Sequence, residues 1–509
     1  MTKTKHLPAA PGNPREMAIF TRPKSHLVNL TKMPELIPGA YDPEAFRTQG
    51  HALVDLLARY LEEARDRKIP VLDWMEPDQQ LEFWKTYDLK GRPVTSLFED
   101  IVRLSNHMHH PRYMGHQVSP ALPLTALSGL LGALVSNGMA VYEVGPSASA
   151  IEKVVVESFL KQLGFASGDG YITSGGTLAN LTGLLAARRA LEGADVWEEG
   201  QQEALGVMVS SEAHYCIERA VRIMGLGSRG IIRVPVDGNY RMDTGKLEAV
   251  HDEAREKGIR ILAVVGSAPS TATGMYDDLE AIAGFCRGKG LWFHVDGAHG
   301  GAAIFSEKYR HLLRGVNQAD SVVIDGHKMM LMPVITTLLL FRDKRHAGAT
   351  FSEQAQYLWE EQSEVPWHDI SRKTFECTKH MMAIKYFVAM KVYGTALFEE
   401  HLNRAYDLGK AFGEIISGRK GFELFLPPDS NIVVFRYVGE GLEGSAADAL
   451  NASIRQAILR EGTFYVVQTR LKGRTWLRTA LMNPLTTQDE LHGLLDHIEL
   501  QARKLVTGE

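Results

Sequence analysis

Between residues 171 and 341 short apolar runs alternate with longer amphipathic stretches, and this alternation constrains the fold more than any other feature of the chain. The apolar runs are Tyr171–Thr173, Gly206–Val209, Ile231–Val236, Ile261–Val265, Leu291–Val295, Ser321–Ile324 and Thr336–Phe341. Between them lie stretches such as "CIERAVRIMG", "DTGKLEAVHDEAREKG" and "DLEAIAGFCRGKG", closed by glycine where a helix would stop. Strands this continuously apolar, separated by helices, predict βαβ units: an α/β fold whose mostly parallel central sheet is covered on both faces. Residues 1–115 are charged and helical in pattern, and residues 116–390 hold the large α/β domain. From 391 to 509 long helices with short strands ("FELFLPPDSNIVVFRYV", "RTWLRTALMNP") predict a smaller α+β domain.

Bulk composition narrows the class. A net charge of −5, without a run of five Lys/Arg, gives no electrostatic footprint for nucleic acid. Three scattered cysteines (Cys216, Cys286, Cys377) form no CxxC pair, which argues against a disulfide framework or a metal centre and for a reducing, cytoplasmic setting. The start, "MTKTKHLPAAPGNPREMAIF", has no apolar signal core. Tyr113 to Tyr142 carries no charged residue, yet His116, Gln117, two prolines and several glycines suit a helix buried in an oligomer better than a membrane span.

In a sheet of this kind ligands gather outside the carboxyl ends of the strands, so the strand exits are the place to look for chemistry. "YITSGGTLANLTGLLAAR" delivers a turn, Ser174 to Thr177, into a helix N-terminus, where backbone N–H groups and the Thr177 hydroxyl can hold an anion. Taken alone this is an ordinary capped helix start. His214 stands at a second exit, Ser270 and Thr271 at a third, and Asp296 directly follows "LWFHV". "SVVIDGHKMM" then brings His327 and Lys328 to the rim of the core sheet, 32 positions beyond Asp296. A lysine leaving a buried strand is expected to have a lowered pKa and a usable amine. Anion cradle, carboxylate, flat-faced histidine and amine together describe pyridoxal 5'-phosphate: phosphate on the helix, Asp296 on the ring nitrogen, Lys328 on the aldehyde.

These motifs resemble the group II pyridoxal-phosphate-dependent amino acid decarboxylases, such as the glutamate, aromatic amino acid and cysteine sulfinate decarboxylases. The resemblance covers roughly residues 100 to 495 and is carried by "HHPRYMGHQ", "TSGGTLANL", "SEAHYCIERA", "FHVDGAHGG", "DGHKMM" and "WLRTALMNP". It implies a fold-type-I enzyme, a homodimer with the active site at its interface, that decarboxylates an L-amino acid to an amine and CO2. Carried over, it makes Lys328 the Schiff-base lysine, Asp296 the pyridine-nitrogen partner and His214 the stacked imidazole. Gly176, Thr177 and His327 become phosphate or ring contacts, with Thr271 near the cofactor oxygens. Arg478 matches the arginine that receives the substrate α-carboxylate. Tyr357, 29 positions beyond Lys328, matches the loop tyrosine that returns the proton once CO2 has left. Asp325 departs from the asparagine that many relatives carry there, which removes it from the expected phosphate contacts. His116 and Gln117, where aromatic decarboxylases are aromatic-rich, favour a polar or acidic side chain such as glutamate, aspartate or a sulfinate.

Rival chemistries on the same fold are an aminotransferase or aldehyde-forming relative and a carbon–carbon lyase. "GLGSRG" follows a helix and precedes a strand, the reverse of a dinucleotide fingerprint, and is expected to be a loop. The histidines of "HMHHP" lack cysteine or carboxylate at ligand spacing and are expected to be structural or to face substrate, with no metal. Met329, Met330 and Met332 are expected to pack.

Overall fold

The computed structural model describes residues 36–191, 196–351, 366–439 and 441–507. It divides into two compact units, Met1–Asp55 and Leu56–Glu509. In the first, the described residues form the helix Leu36–Ala40 and the opening turns of the helix Pro43–Arg65.

The second unit is built on a seven-stranded sheet. Its strands are β1 (Asp169–Thr173), β2 (Leu205–Ser210), β3 (Ile231–Val234), β4 (Arg260–Ser267), β5 (Trp292–Asp296), β6 (Ser321–Asp325) and β7 (Thr337–Phe341), in the order β1-β7-β6-β5-β4-β2-β3. Every apolar run singled out in the sequence is one of these strands. Alternation along them feeds two cores: Val264, Phe293, Val295, Val322 and Ile324 pack on one face, and Ala263, Val265, Trp292 and Val323 on the other. Helix ends follow their local chemistry. The Asp278 carboxylate accepts from Ala281 N at the start of Leu279–Lys289, and Gly290, at φ +66°, ends that helix in the left-handed region.

β7 runs antiparallel to both β6 and β1, whereas the other neighbouring strands pair in parallel. The β6–β7 connection explains this, because residues 326–336 are too few for a helical crossover and double back instead. That short return carries His327 and Lys328. The exits of β1, β2, β4, β5 and β6 and the entry of β7 therefore share one edge of the sheet.

A second sheet holds β8 (Phe422–Leu424), β9 (Ile432–Tyr437), β10 (Val467–Leu471) and β11 (Arg474–Ala480) in the antiparallel order β10-β11-β9-β8. The helices Gly444–Glu461 and Gln488–Thr507 cover it through Ile454, Ile458, Leu491 and Leu495. The uncharged 113–142 stretch contains one α-helix of 13 residues, Pro123–Val135, about 20 Å long at 1.5 Å per residue. Among the described residues no helix is long and apolar enough to cross a membrane. "GLGSRG" is a loop ending in a 3-10 turn that leads into β3, and Met329, Met330 and Met332 are fully buried.

Candidate active site

The strand exits converge on one cavity of about 180 Å³. Gly176, Thr177, His214, Thr271, Asp296, His327 and Lys328, all expected from the sequence, line it together with Asn180, Cys216, Pro269, Ala298, His299 and Asp325. Arg478 borders it, donating from Nη1 to the Thr271 carbonyl at 2.7 Å. Gln117 lies outside this lining, buried, with its Nε2 unpartnered. Tyr357 falls outside the described residues.

Each wall has a local cause. After β1 the chain turns through Gly175 at φ +105°, which an L side chain rarely adopts, and enters the helix Gly176–Arg189. That helix has no side-chain cap, so its first N–H groups stay available. The Ser174 hydroxyl is not part of the cradle: Ser174 and Thr173 both donate to the Glu376 carboxylate. His214 caps the helix Tyr215–Ile223, its Nδ1 accepting from Cys216 N at 3.3 Å. The ring proton is thereby left on Nε2, and burial lowers the imidazole below its ordinary pKa, so the ring is neutral.

Asp296 ends β5 on the face it shares with Trp292 and His294, as the two-residue period requires. Its Oδ1 accepts from Ala298 N at 3.2 Å. Beneath it runs a satisfied chain. Trp292 Nε1 donates to Ser321 Oγ (2.9 Å), Ser321 Oγ to His294 Nδ1 (2.7 Å), and His294 Nε2 to Asn180 Oδ1 (2.8 Å). Asn180 Nδ2 in turn donates to the Cys216 sulfur at 3.5 Å. Burial takes His294 down to about 4, which keeps it neutral. Gly183 makes room for it, since a Cβ there would meet the imidazole Cε1 at 2.6 Å.

Lys328 departs from expectation. Burial alone would lower its pKa, but the charges of Asp325 and Asp296 outweigh burial and hold it above the ordinary lysine value. Asp325 Oδ2 lies 3.0 Å from Nζ. Apart from the cofactor, this ion pair favours the ammonium over the free amine. His327 Nδ1 is engaged with Thr336 O at 3.2 Å, and its Nε2 lies 3.6 Å from Asp325.

His299, Asn180 and Asp325 were not singled out as site residues in the sequence. Asn180 had a signal: it stands three positions after Thr177, on the same helix face. His299 had none, because its place depends on Asn431, whose Oδ1 accepts from Nε2 at 2.7 Å and leaves Nδ1 without a partner. In the "HMHHP" cluster both His107 nitrogens face backbone carbonyls, Pro70 O at 2.6 Å and Val102 O at 2.9 Å.

The lining fits pyridoxal 5'-phosphate. It offers an uncapped helix start, a buried carboxylate whose Oδ2 accepts no hydrogen bond among the described residues, a neutral flat ring and a lysine. Comparison with known proteins agrees. The family described as "Pyridoxal-dependent decarboxylase conserved domain" matches residues 82–438, and the chain belongs to that family. It is 27% identical over 503 residues to the mouse (Mus musculus) acidic amino acid decarboxylase GADL1, covering 93% of this chain and 90% of that protein. To the aspartate 1-decarboxylase of Aliivibrio fischeri it is 30% identical, covering 78% of this chain and 81% of that one. An aromatic-L-amino-acid decarboxylase from Bacillus atrophaeus is 25% identical over 91% of this chain and 96% of its own length. The crystal structure of mouse CSAD superposes with a TM-score of 0.85 at 25% identity, covering 91% of this chain and 99% of that one. The chain is a pyridoxal-phosphate-dependent amino acid decarboxylase of fold type I.

Proposed function

We propose that the substrate is an acidic L-amino acid, of the aspartate, glutamate or sulfinate type. One observation carries this reading: the Arg478 guanidinium is buried with no carboxylate partner among the described residues. Its hydrogen bond goes to a backbone carbonyl, its Nε is unpartnered, and burial lowers its pKa. A buried cation without a counter-charge is costly, so the site is built for an anion that arrives with the ligand. Gln117 offers a second unpartnered donor from the segment that relatives with aromatic substrates fill with rings. The named activities of the GADL1 and aspartate 1-decarboxylase relatives support the same class.

An acidic amino acid has two carboxylates. An ion pair to the one that departs stabilises the ground state and is lost as neutral CO2 forms, whereas a pair to the side-chain carboxylate persists through the reaction. We therefore assign Arg478 to the side-chain carboxylate, in place of the α-carboxylate that the resemblance implies.

The cofactor, when bound, supplies the electron sink for the bond to CO2. Lys328 would be the amine that holds the cofactor and gives way to the substrate amine. Asp296 would keep a proton on the ring nitrogen, and the first turn of Gly176–Arg189 with Thr177 would hold the phosphate. His214, at the cavity wall, would pack against the cofactor ring. Tyr357 delivers a proton to the substrate carbon.

An exposed apolar face supports a homodimer. Leu127, Leu130, Leu131 and Leu134 expose one side of the helix Pro123–Val135, and Val334 and Ile335 beside the lysine turn are exposed as well. The three cysteines are unpaired, which fits a reducing cytoplasm. An amino-acid panel with amines identified by mass spectrometry tests the substrate class. Preferential turnover of an aromatic amino acid would reject it.

A further inference from the structure

Asp325 has no part in the assignments above, yet its carboxylate is paired with the amine of Lys328. It ends β6, wholly buried, with Oδ2 3.0 Å from Nζ, and among the described residues it is the one carboxylate within 4.0 Å of that nitrogen. Its Oδ1 accepts from Thr337 Oγ1 at 2.5 Å across the β6–β7 pairing. A Cβ on Gly176 would lie 3.1 Å from either oxygen, so the carboxylate also abuts the N-terminus of Gly176–Arg189, where a helix dipole favours negative charge. Lysine and hydroxyl favour the ionised carboxylate, and the helix end does so while no phosphate occupies it.

We propose that Asp325 is the counter-ion of Lys328 whenever the lysine is not bonded to the cofactor, and that this ion pair drives the exchange of the lysine for the substrate amine. The inference rests on Lys328 being the cofactor lysine. Charge and atoms balance simply. A substrate enters as an ammonium with three N–H bonds. Its nitrogen bonds to the aldehyde carbon while the bond from that carbon to Nζ breaks, and the three protons end on Nζ. No electrons are lost or gained. The positive charge that arrived on the substrate now sits on Lys328, and Asp325 is already in place to receive it. Without that carboxylate the free lysine would be a buried cation facing Asp296 alone, more prone to lose a proton and attack again.

Other titratable groups do not compete for this role. His327 lies 3.6 Å away on the same turn, His214 and Cys216 face Asp325 from the helix after β2, His299 from the loop after β5, and Tyr386 from the helix Ala383–Tyr393. Burial pushes the three imidazoles down and the thiol and phenol up, so all are neutral near pH 7.

The test is lysine-resolved labelling of the full-length chain, freed of cofactor, with formaldehyde and cyanoborohydride over a pH series, read by peptide mass spectrometry. Each rate is normalised to its high-pH plateau. Lys328 should reach half-maximal labelling at a higher pH than exposed Lys161 in the same digest. Asp325→Asn should lower the Lys328 midpoint by about one to three pH units, the effect of an opposite charge at this range, or about tenfold to a thousandfold in normalised rate at neutral pH. In the holoenzyme, the methylamine concentration that half-displaces Lys328, followed by visible absorbance, should rise in the same variant. A wild-type Lys328 midpoint at or below that of Lys161 overturns the proposal without any variant. An Asn variant with a shifted lysine but unchanged methylamine exchange overturns it too. Borohydride reduction of the holoenzyme tests the underlying reading separately: a cofactor tag on another lysine rejects Lys328 as the cofactor lysine, whatever the labelling midpoints show.

Discussion

Replacing Arg478 by methionine separates the two carboxylates a substrate could offer. The guanidinium sits on β11 between Val467 of β10 and Val434 of β9, 8% exposed. Its Nε is unpartnered and Nη1 is spent on the Thr271 carbonyl, so a bound carboxylate can draw on Nε and Nη2 as a fork. Truncating one side of a buried, hydrogen-bonded charge pair typically costs about 2–5 kcal/mol, which at about 1.4 kcal/mol per tenfold is a fall of about 30- to 4,000-fold in kcat/KM. The methionine stem fills much of the arginine's path and removes an uncompensated buried cation, so the thermal midpoint should stay near that of the wild type. The assay is kcat/KM for L-aspartate, L-glutamate and cysteine sulfinate against L-phenylalanine and L-tryptophan, with amines quantified by mass spectrometry. The loss should fall on the acidic substrates, and residual turnover of the others should be spared or improved. A uniform loss across all five would refute the reasoning and return Arg478 to the α-carboxylate.

Other perturbations test the rest of the site and its support. Asp296→Ala should remove roughly 3 kcal/mol or more of transition-state stabilisation, more than a hundredfold in kcat, and weaken cofactor retention; near-normal turnover would make that carboxylate merely structural. His294 is neutral in the fold with a pKa of about 4, so the unfolded chain takes up its proton first. Stability is then full above pH 6.5 and falls as pH drops from 6.5 towards 4, by about 1.4 kcal/mol per unit and about 3 kcal/mol in total from this residue. His294→Asn should flatten that slope in thermal melts run between pH 7 and 4.5. Glu152 is buried with Oε1 2.6 Å from Lys379 Nζ, so Glu152→Leu should cost about 3–5 kcal/mol in denaturant unfolding, with much of it recovered in the Glu152→Leu/Lys379→Met double variant. If the exposed helix face forms the proposed homodimer, the wild type should sediment as a dimer and Leu131→Glu as a monomer; a monomeric wild type would reject that interface.

What the sequence disclosed and what it withheld divide along physical lines. Each strand from β1 to β7 was visible, because a run buried on both faces must be apolar throughout and its ends are marked by turn residues. Their exits sufficed to collect Gly176, Thr177, His214, Thr271, Asp296, His327 and Lys328 in advance, since in a parallel sheet the order along the chain already places the carboxyl ends together. The antiparallel course of β7 was less accessible, as it follows from the brevity of the 326–336 return and not from any apolar pattern. Contacts between distant segments left no periodic trace. Glu376 reaches Thr173 and Ser174 from more than 200 positions away, and the Asn431 partner of His299 lies 132 positions on.

The protonation of Lys328 shows the same limit most sharply. Burial was legible, and by itself it predicts a weakened ammonium. The sign of the shift turns on where one neighbouring carboxylate points. Asp325 stands three residues before Lys328, and on a strand continued straight the two side chains would lie on opposite faces. The turn after Asp325 breaks that alternation and brings Nζ onto Oδ2, and it is closely packed: a Cβ on Gly326 would run into the Tyr386 hydroxyl at 2.0 Å. The packing of that turn therefore bears on the charge state of the lysine as well as on its position. Gly326→Ala should both loosen the turn and lower the Lys328 labelling midpoint, which the same pH series on the full-length chain would detect. An unchanged midpoint in a folded Gly326→Ala protein would show that the ion pair survives without the turn.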